Sequence, residues 1–329
     1  MTPAFSLSVG GSDITALVAD RLVSITVVDE AGFESDRLSL TLDNRDLRIA
    51  PPAKGRMLEL SLGYQDAQQR IGTFVADEVE SEFSAEGRRL RIKAKAADMT
   101  AGLKEERIQS WGLQPIGAIV GEIAARHGLR PVVGAGLADV VPVTAPYGSI
   151  EQIREPDMDF LSRLAEQLDA VAKPASGTYL FVSRGDARAA NGRPLTSHAL
   201  PEADVSGYAA SAPDRPKFAS VEASYIDVPF EGTRTAIVGA GNGPVHRMNR
   251  IFGSEDAATR AAEDRRRVLQ RNEASLRIDM PGRADIFAED ALVFQTPDPL
   301  AAGRWVVERV EHRLARTFRT TLTCGVPNA

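Results

Sequence analysis

Val75-Ala76-Asp77-Glu78-Val79-Glu80-Ser81-Glu82-Phe83 leads through Ser84-Ala85-Glu86-Gly87 to Leu90-Arg91-Ile92-Lys93-Ala94-Lys95-Ala96, and this stretch decides the fold class. Apolar and charged residues alternate with period two on both sides of the turn. That is the pattern of paired strands with one buried and one wetted face. Val75, Val79 and Phe83 share one face of the first strand, and Glu78, Glu80 and Glu82 share the other. Leu90, Ile92, Ala94 and Ala96 oppose Arg91, Lys93 and Lys95 in the same way. Closing the strands around Glu86-Gly87 sets Phe83 opposite Leu90. Glu82 then meets Arg91, Glu80 meets Lys93 and Glu78 meets Lys95. A slip by one residue turns every side chain to the wrong face. The basic row that starts at Arg89 is thereby answered by an acidic row, whereas a phosphate-binding surface carries net positive charge.

Outward from this hairpin the alternation continues. Leu38, Leu40 and Leu42 alternate with polar residues, as do Leu58, Leu60 and Leu62. Asp43-Asn44, Pro51-Pro52, Gly63 and Gly87 mark the turns. Residues 1–100 therefore read as one antiparallel β module. Residues 101–145 change period. Pro115 opens a helix whose stripe is Ile116, Ile119, Val120, Ile123 and Ala124, and Gly128 closes it. This is a small helical insert. Residues 146–329 return to β patterns, with helices near 156–170 and 254–271. The first of these carries Phe160, Leu161, Leu164, Ala165 and Leu168 on its apolar face. The second carries Ala257, Ala258, Ala261, Ala262, Val268 and Leu269, with Ser254 as its N-cap. Strands are expected at 179–182, 218–225, 235–238, 275–278, 291–295, 304–314 and 318–324. The Gly-, Pro-, Ala- and Ser-rich stretch 185–216 reads as a linker. The class is α+β, mainly β: two β modules of similar kind around a helical insert, with no repeat at residue level.

Composition narrows the function. Acidic residues exceed basic ones by 45 to 39, so the chain as a whole is no polyanion binder. The single cysteine, Cys324, excludes an internal disulfide. The N-terminus has no signal-peptide pattern, and no apolar run reaches the roughly 20 residues that span a bilayer, so no membrane insertion is expected. His127, His198, His246 and His312 lack zinc-site spacing, and no metal or cofactor is expected. His127 precedes the helix-capping Gly128. His312 shares strand parity with Val306, Val310 and Leu314, which suits a hydrogen-bonded structural histidine. Gly239 to Pro244 follows a strand but opens no helix and lacks the Lys-Ser/Thr of a phosphate loop. Asp157 and Asp159 lie in one helical first turn, so they do not face each other across a substrate as glycosidase carboxylates do. Cys324 alternates with Leu322 and Thr320 as a core thiol. No catalytic constellation is expected, and an assembly role follows.

Glu155-Pro156-Asp157 followed by Phe160-Leu161-Ser162-Arg163-Leu164-Ala165 resembles the motif of the phage late control protein D family, with Pro156 where that family has serine. Gly303-Arg304-Trp305-Val306-Val307, then Val310-Glu311-His312 and Phe318-Arg319-Thr320-Thr321-Leu322, is similar to its closing signature. The resemblance marks Glu155, Asp157, Phe160, Leu161, Arg163, Leu164, Ala165, Trp305, Val307 and His312 as motif positions. It implies two tail-tube-like β-barrels per chain and three chains per ring, which adapt a sixfold tail tube to a threefold spike. That spike is expected on a separate polypeptide, because the chain stops soon after its closing strands. The implied partners are further copies of the chain, the spike, the tail tube, other baseplate proteins, and DNA or another cargo in the lumen, without sequence-specific contact. The implied setting is the bacterial host cytoplasm during assembly and then the tail baseplate of a virion or injection particle. The related hub module of type VI secretion valine-glycine repeat proteins fits the same scheme. The alternatives are the hub of a headless tailocin or extracellular injection particle, a baseplate cell-wall hydrolase using Asp157 or Asp159, and a carbohydrate-binding module.

Overall fold

Strands dominate, as the period-two alternation requires. The computed structural model describes residues 2–31, 36–53, 55–85, 87–96, 101–134, 136–142, 150–168, 170–175, 178–183, 196–212, 218–227, 232–240, 243–271 and 274–327. The first hundred residues give β1 (Pro3–Val9), β2 (Ser12–Asp13), a one-turn helix α1 (Thr15–Val18), β3 (Leu22–Glu30), β4 (Arg37–Asp43), β5 (Met57–Tyr64), β6 (Ala67–Ser84) and β7 (Gly87–Ala96). Then come β8 (Glu106–Ser110), α2 (Ile116–Arg126), β9 (Arg130–Val133), β10 (Glu151–Pro156), α3 (Asp157–Gln167), β11 (Ala170–Ala175) and β12 (Thr178–Ser183). β13 (Ser197–Pro201), β14 (Gly207–Ser211), β15 (Ser220–Asp227), β16 (Gly232–Gly239), β17 (Val245–Phe252) and α4 (Glu255–Arg271) follow. The chain closes with β18 (Ser275–Pro281), β19 (Ala291–Gln295), β20 (Gly303–Leu314) and β21 (Phe318–Gly325).

The chain forms two units, and neither is continuous in sequence. The first comprises Met1–Met99, Leu195–Ala210 and Leu276–Cys324. It holds one sheet of 13 strands in the order β14-β18-β21-β20-β3-β4-β7-β6-β5-β1-β2, with β19 also beside β20 and β13 beside β19. Strands from the two ends of the chain meet inside it: Arg309–Leu314 pair antiparallel with Ile25–Glu30. Leu38, Leu40, Leu42, Leu58, Leu60 and Leu62 turn inward and are at most 2% exposed. Burying each such side chain contributes about 1.5–3 kcal/mol.

The long hairpin departs from the expected register. Glu78 stands opposite Lys93, Glu80 opposite Arg91, and Glu82 opposite Arg89, while Ser84 and Gly87 close the turn. The pairings Glu82 with Arg91, Glu80 with Lys93 and Glu78 with Lys95 as direct opposites are therefore two residues out. Glu86, in the expected turn, lies outside the described residues. A two-residue slip preserves every face, so alternation cannot detect it. The charges find both direct and diagonal partners. Lys93 Nζ sits 2.6 Å from Glu80 and 3.1 Å from Glu78, and Arg91 lies 3.9 Å from Glu82. Lys95 pairs with Asp77 at 2.5 Å, not with Glu78. A bulge between Ala76 and Glu78 also shifts parity, so Phe74 and Ala76 enter the core in place of Val75.

The second unit comprises Thr100–Pro194, Ser211–Ser275 and Gly325–Ala329. α2 forms where its stripe places it, and Ile116, Ile119, Val120, Ile123 and Ala124 are all buried. Gly117 allows a close approach, because a Cβ there would stand 2.9 Å from the Ala138 carbonyl oxygen that its own N–H binds. α3 buries Phe160, Leu161, Leu164 and Ala165, and Leu168 is its C-terminal cap. The sheet β11-β12-β9 lies beside these helices. A further sheet, β16-β15-β17, is covered by α4 through Val221, Ala223, Tyr225, Phe252, Ala258 and Ala262. Ala257, Ala261 and Leu269 are partly buried there, and the side chain of Val268 lies outside the described residues. The Ser254 hydroxyl accepts the Ala257 N–H at 3.3 Å, so Ser254 caps α4 as expected.

The stretch expected as a linker, 185–216, contains β13 and β14; residues 184–195 and 213–217 lie outside the described residues. These strands are short, and β14 is Gly-Tyr-Ala-Ala-Ser. Their small residues look like loop composition, and only pairing with β19 and β18, distant in sequence, makes them strands.

Candidate functional site

Asp157 occupies the centre of a polar cluster inside the second unit. It opens α3 after the β10 bulge at Arg154, a non-glycine residue held at φ 48°. Its side chain is fully buried. Arg126, in the last turn of α2, donates from Nη1 to both carboxylate oxygens at 3.0 and 3.1 Å. His127 Nε2 lies 2.7 Å away, Gln152 Nε2 donates at 2.9 Å, and Arg107 Nε is 3.3 Å distant. Burial pushes the Asp157 pKa up. The Gln152 and His127 hydrogen bonds and the Arg126 charge outweigh it, so the carboxyl sits below its ordinary value.

A second layer holds these partners. Trp111 Nε1 donates to Gln152 Oε1 at 3.2 Å, and Gln152 Nε2 also donates to the Glu155 carbonyl at 2.8 Å. Trp111 stacks on Phe160 at 5.7 Å. Arg163 reaches back one helical turn and more to Glu155, with Nη2 donating at 2.8 Å and Nε at 3.0 Å, and lies over the Phe160 ring. The Tyr179 hydroxyl is buried nearby without a hydrogen-bond partner, and its pKa is pushed up by burial and by the charges of Asp157 and Asp159.

The motif positions thus form two connected groups. Glu155 and Arg163 form an ion pair on the rim, and Asp157 ties α2, β8, β10 and α3 together. Phe160, Leu161, Leu164 and Ala165 supply the packing. Asp157 stands in the first turn of α3, where its place in the sequence puts it, and its partners come from other elements. His127 is the C-terminal cap of α2, as its place before Gly128 suggests, and its side chain also binds Asp157. Gln152, Arg126 and Arg107 carried no signal in the sequence, since isolated polar residues at ordinary spacing look like surface. The Asp157 carboxylate is fully buried, with two arginines and a histidine against it. Glycosidase chemistry needs a second carboxylate across the substrate, and among the described residues the groups against Asp157 are Arg107, Arg126, His127 and Gln152.

The remaining motif positions lie in the first unit. Trp305 donates from Nε1 to the Ala301 carbonyl at 2.8 Å, and Val307 is fully buried. His312 is 1% exposed, and its Nδ1 lies 2.9 Å from the Thr320 hydroxyl. That hydroxyl accepts the Arg283 N–H, which leaves its own proton for the imidazole. Burial lowers the His312 pKa to about 4, against the pull of Asp29. Asp29 in turn accepts the Ala288 N–H at 2.8 Å and so fastens β3 to the segment before β19. A buried Asp290, not singled out by the sequence, accepts the Thr196 and Phe287 N–H groups and lies 3.0 Å from His198 Nε2. Cys324 is a fully buried thiol with its pKa pushed up by burial, as a core position requires.

The Gly239–Pro244 segment links β16 to β17, and Gly241 and Asn242 lie outside the described residues. No helix follows it directly; β17 does. In the second unit a cavity of about 400 Å³ is lined by Val141, Glu166, Phe252, Arg260 and Asp264 among others. Among the described residues no cluster of three or more His, Cys, Asp or Glu side chains is arranged to hold a metal ion, and no helix is long and apolar enough to cross a membrane.

Comparison with known proteins supplies the context. Residues 34–317 match the model of the family described as phage tail baseplate hub. The chain is 29% identical to a probable baseplate hub protein of Escherichia phage 186, over 98% of this chain and 92% of that one. In fold it is similar to the 43 kDa tail protein of prophage MuSo2 from Shewanella oneidensis, with a TM-score of 0.71, 13% identity and 98% of each chain covered. It is also similar to an E. coli component of the type VI secretion system, with a TM-score of 0.60, 11% identity, and 98% of this chain and 77% of that one covered.

Proposed function

The chain belongs to the phage tail baseplate hub family, and from that premise we propose that it works as a trimeric ring between a sixfold tail tube and a threefold spike. Its role is that of a baseplate hub of a contractile tail. The observation that carries the finer reading is the large sheet of the first unit. Its strands fall into two sets with the same order, so each chain offers two tube-like modules, read here as barrels. Residues 1–100 form the first module, and strands after residue 146 form the second, with the helical insert 101–145 between them in sequence. Three chains then present six modules to six tube subunits. The load passes through paired strands, and the lumen passes DNA or another cargo. The hub assembles in the host cytoplasm before it joins the baseplate.

In this reading the motif residues keep the hub rigid. Asp157 and its cations lock α2 and α3 in one arrangement, while Trp305, Val307 and His312 hold the closing hairpin. The ladder Glu78, Glu80 and Glu82 against Arg89, Arg91 and Lys93 makes a wetted sheet face without net charge, which suits a surface that polyanions pass without sticking.

Light scattering on the purified chain tests the reading. The expected result is a mass three times the 35.4 kDa of one chain, alone or with spike protein. A stable single chain that cleaves purified murein overturns it.

A further inference from the structure

α3 ends and α4 begins around one cavity of the second unit. Its volume is about 400 Å³, at the small end of the roughly 300–1,000 Å³ of ligand clefts. Stretches distant in sequence wall it: residues 139–142 after β9, the last turn of α3, β17 and the first part of α4.

Its apolar and charged residues divide the work. Val141, Leu168, Met248, Phe252 and Ala261 give the cavity its apolar lining; Phe252 is buried and the other four are half-buried. Asp139, Glu166, Asp256 and Arg260 also line it, and all four are exposed. Among the described residues none of these four has an ion-pair partner. Asp264 and Arg265, the other charged residues of the cavity, are already engaged within the chain: Asp264 is buried, and Arg265 Nε donates to His246 Nε2 at 3.2 Å. Three carboxylates against one guanidinium leave the rim negative.

Protein interiors pack closely, and exposed carboxylates without partners hold no part of the fold together. An apolar concavity with such a rim is therefore a binding surface rather than a packing defect. The ligand complementary to it carries an apolar body beside a cation. The space admits a large side chain but no folded domain, and a baseplate hub is surrounded by other polypeptides.

We infer that this cavity receives a short segment of a partner polypeptide, with one large apolar side chain inside and an adjacent lysine or arginine meeting Asp139, Glu166 and Asp256. The inference rests on membership of the hub family and does not require the trimeric ring.

Fluorescence anisotropy with labelled peptides tests it on the purified full chain. Gly-Gly-Trp-Lys-Gly-Gly is expected to bind, Gly-Gly-Trp-Glu-Gly-Gly to bind about tenfold more weakly, and Gly-Gly-Ala-Lys-Gly-Gly to show no binding. Asp139→Lys combined with Glu166→Lys, both at exposed positions, is expected to keep the unfolding profile of the parent and to reverse the preference between the two tryptophan peptides. Ala261→Phe, which fills the cavity, is expected to abolish the binding of both. Equal binding of the lysine and glutamate peptides, binding of none, or a preference that survives the double substitution overturns the proposal. Tryptamine that binds as tightly as the lysine peptide reassigns the cavity to a small amine and overturns it too. Light scattering on the same samples separates this proposal from the ring. A threefold mass that falls to one chain as peptide binds makes the cavity a contact between copies, which overturns the peptide site and leaves the ring standing. A single-chain mass with the peptide preferences intact supports the site and overturns the ring alone.

Discussion

Asp157 shows how much one buried charge can organise. Removing it would leave Arg126 and Arg107 facing each other without their shared anion. Asp157→Asn keeps the shape and deletes the charge, and losing one partner of a buried pair destabilises by about 3–5 kcal/mol. A urea midpoint for the second unit equal to that of the parent would show that the cluster contributes nothing. The sign of its pH dependence follows from its lowered pKa. The stabilisation is complete above the ordinary carboxylate value of 3.8 and is lost as pH falls through the lower folded value. His312 reaches the same direction by the opposite chemistry. It is buried neutral, with its pKa lowered from 6.5 to about 4. Between those values the unfolded chain binds a proton that the folded chain refuses. Stability therefore declines as pH falls across that window, by at most about 1.4 kcal/mol per pH unit for this one group. His312→Gln, which retains a hydrogen-bonding side chain toward Thr320, is expected to flatten the slope of unfolding free energy between pH 6.5 and 4. An unchanged slope refutes the assignment.

Elements were the scale at which the sequence spoke most clearly. The apolar stripe of α2 and the strands β19 to β21 could be read directly, because each buries one face and period alone reveals it. The register of β6 on β7 could not, because a shift by two residues leaves both faces intact and only the turn and the Asp77 bulge choose between them. A double-mutant cycle distinguishes the two registers. Glu80 and Arg91 are expected to couple, and Glu78 and Lys95 are expected to act independently; coupling in the second pair would restore the shifted hairpin. The polar cluster was hidden for a different reason. Its members come from β8, α2, β10 and α3, and nothing local in any of them announces burial. Gly282 shows a constraint of the same long-range kind. A Cβ there would fall 1.9 Å from the Phe318 ring, which is itself 4% exposed. Gly282→Ala must therefore displace a core aromatic, with an expected loss of about 1–3 kcal/mol by overpacking. Chemical denaturation measures it, and a midpoint equal to the parent's shows that the ring has room to move.

The large sheet of the first unit repeats a strand order that the residues do not display. Six strands recur in one order, yet alternating apolar and polar residues look alike in any two strands, so only the pairing reveals the copy. The two strand sets differ most in one connection. β3 and β4 are joined by residues 31–36, whereas their counterparts β14 and β18 are joined by residues 212–274. Ser206 N–H donates to the Asp279 carbonyl, so the strands on either side of that long excursion start out together. Replacing residues 212–274 with a turn of about six residues is expected to leave the 13-stranded sheet folded, because among the described residues no strand of that sheet comes from within the excised segment. Circular dichroism and light scattering check this, and loss of the β signal would show that the excursion is needed for folding. The seam between β3 and β20 has a further consequence for how the chain is made. Ile25–Glu30 leave the ribosome long before Arg309–Leu314 do. Until then the nascent sheet has a bare border in its middle, and contacts separated by more than 250 residues are slow to form. Final folding of this sheet thereby waits until β20 has been made, and a polypeptide released before that point carries an adhesive strand with nothing of its own to satisfy it.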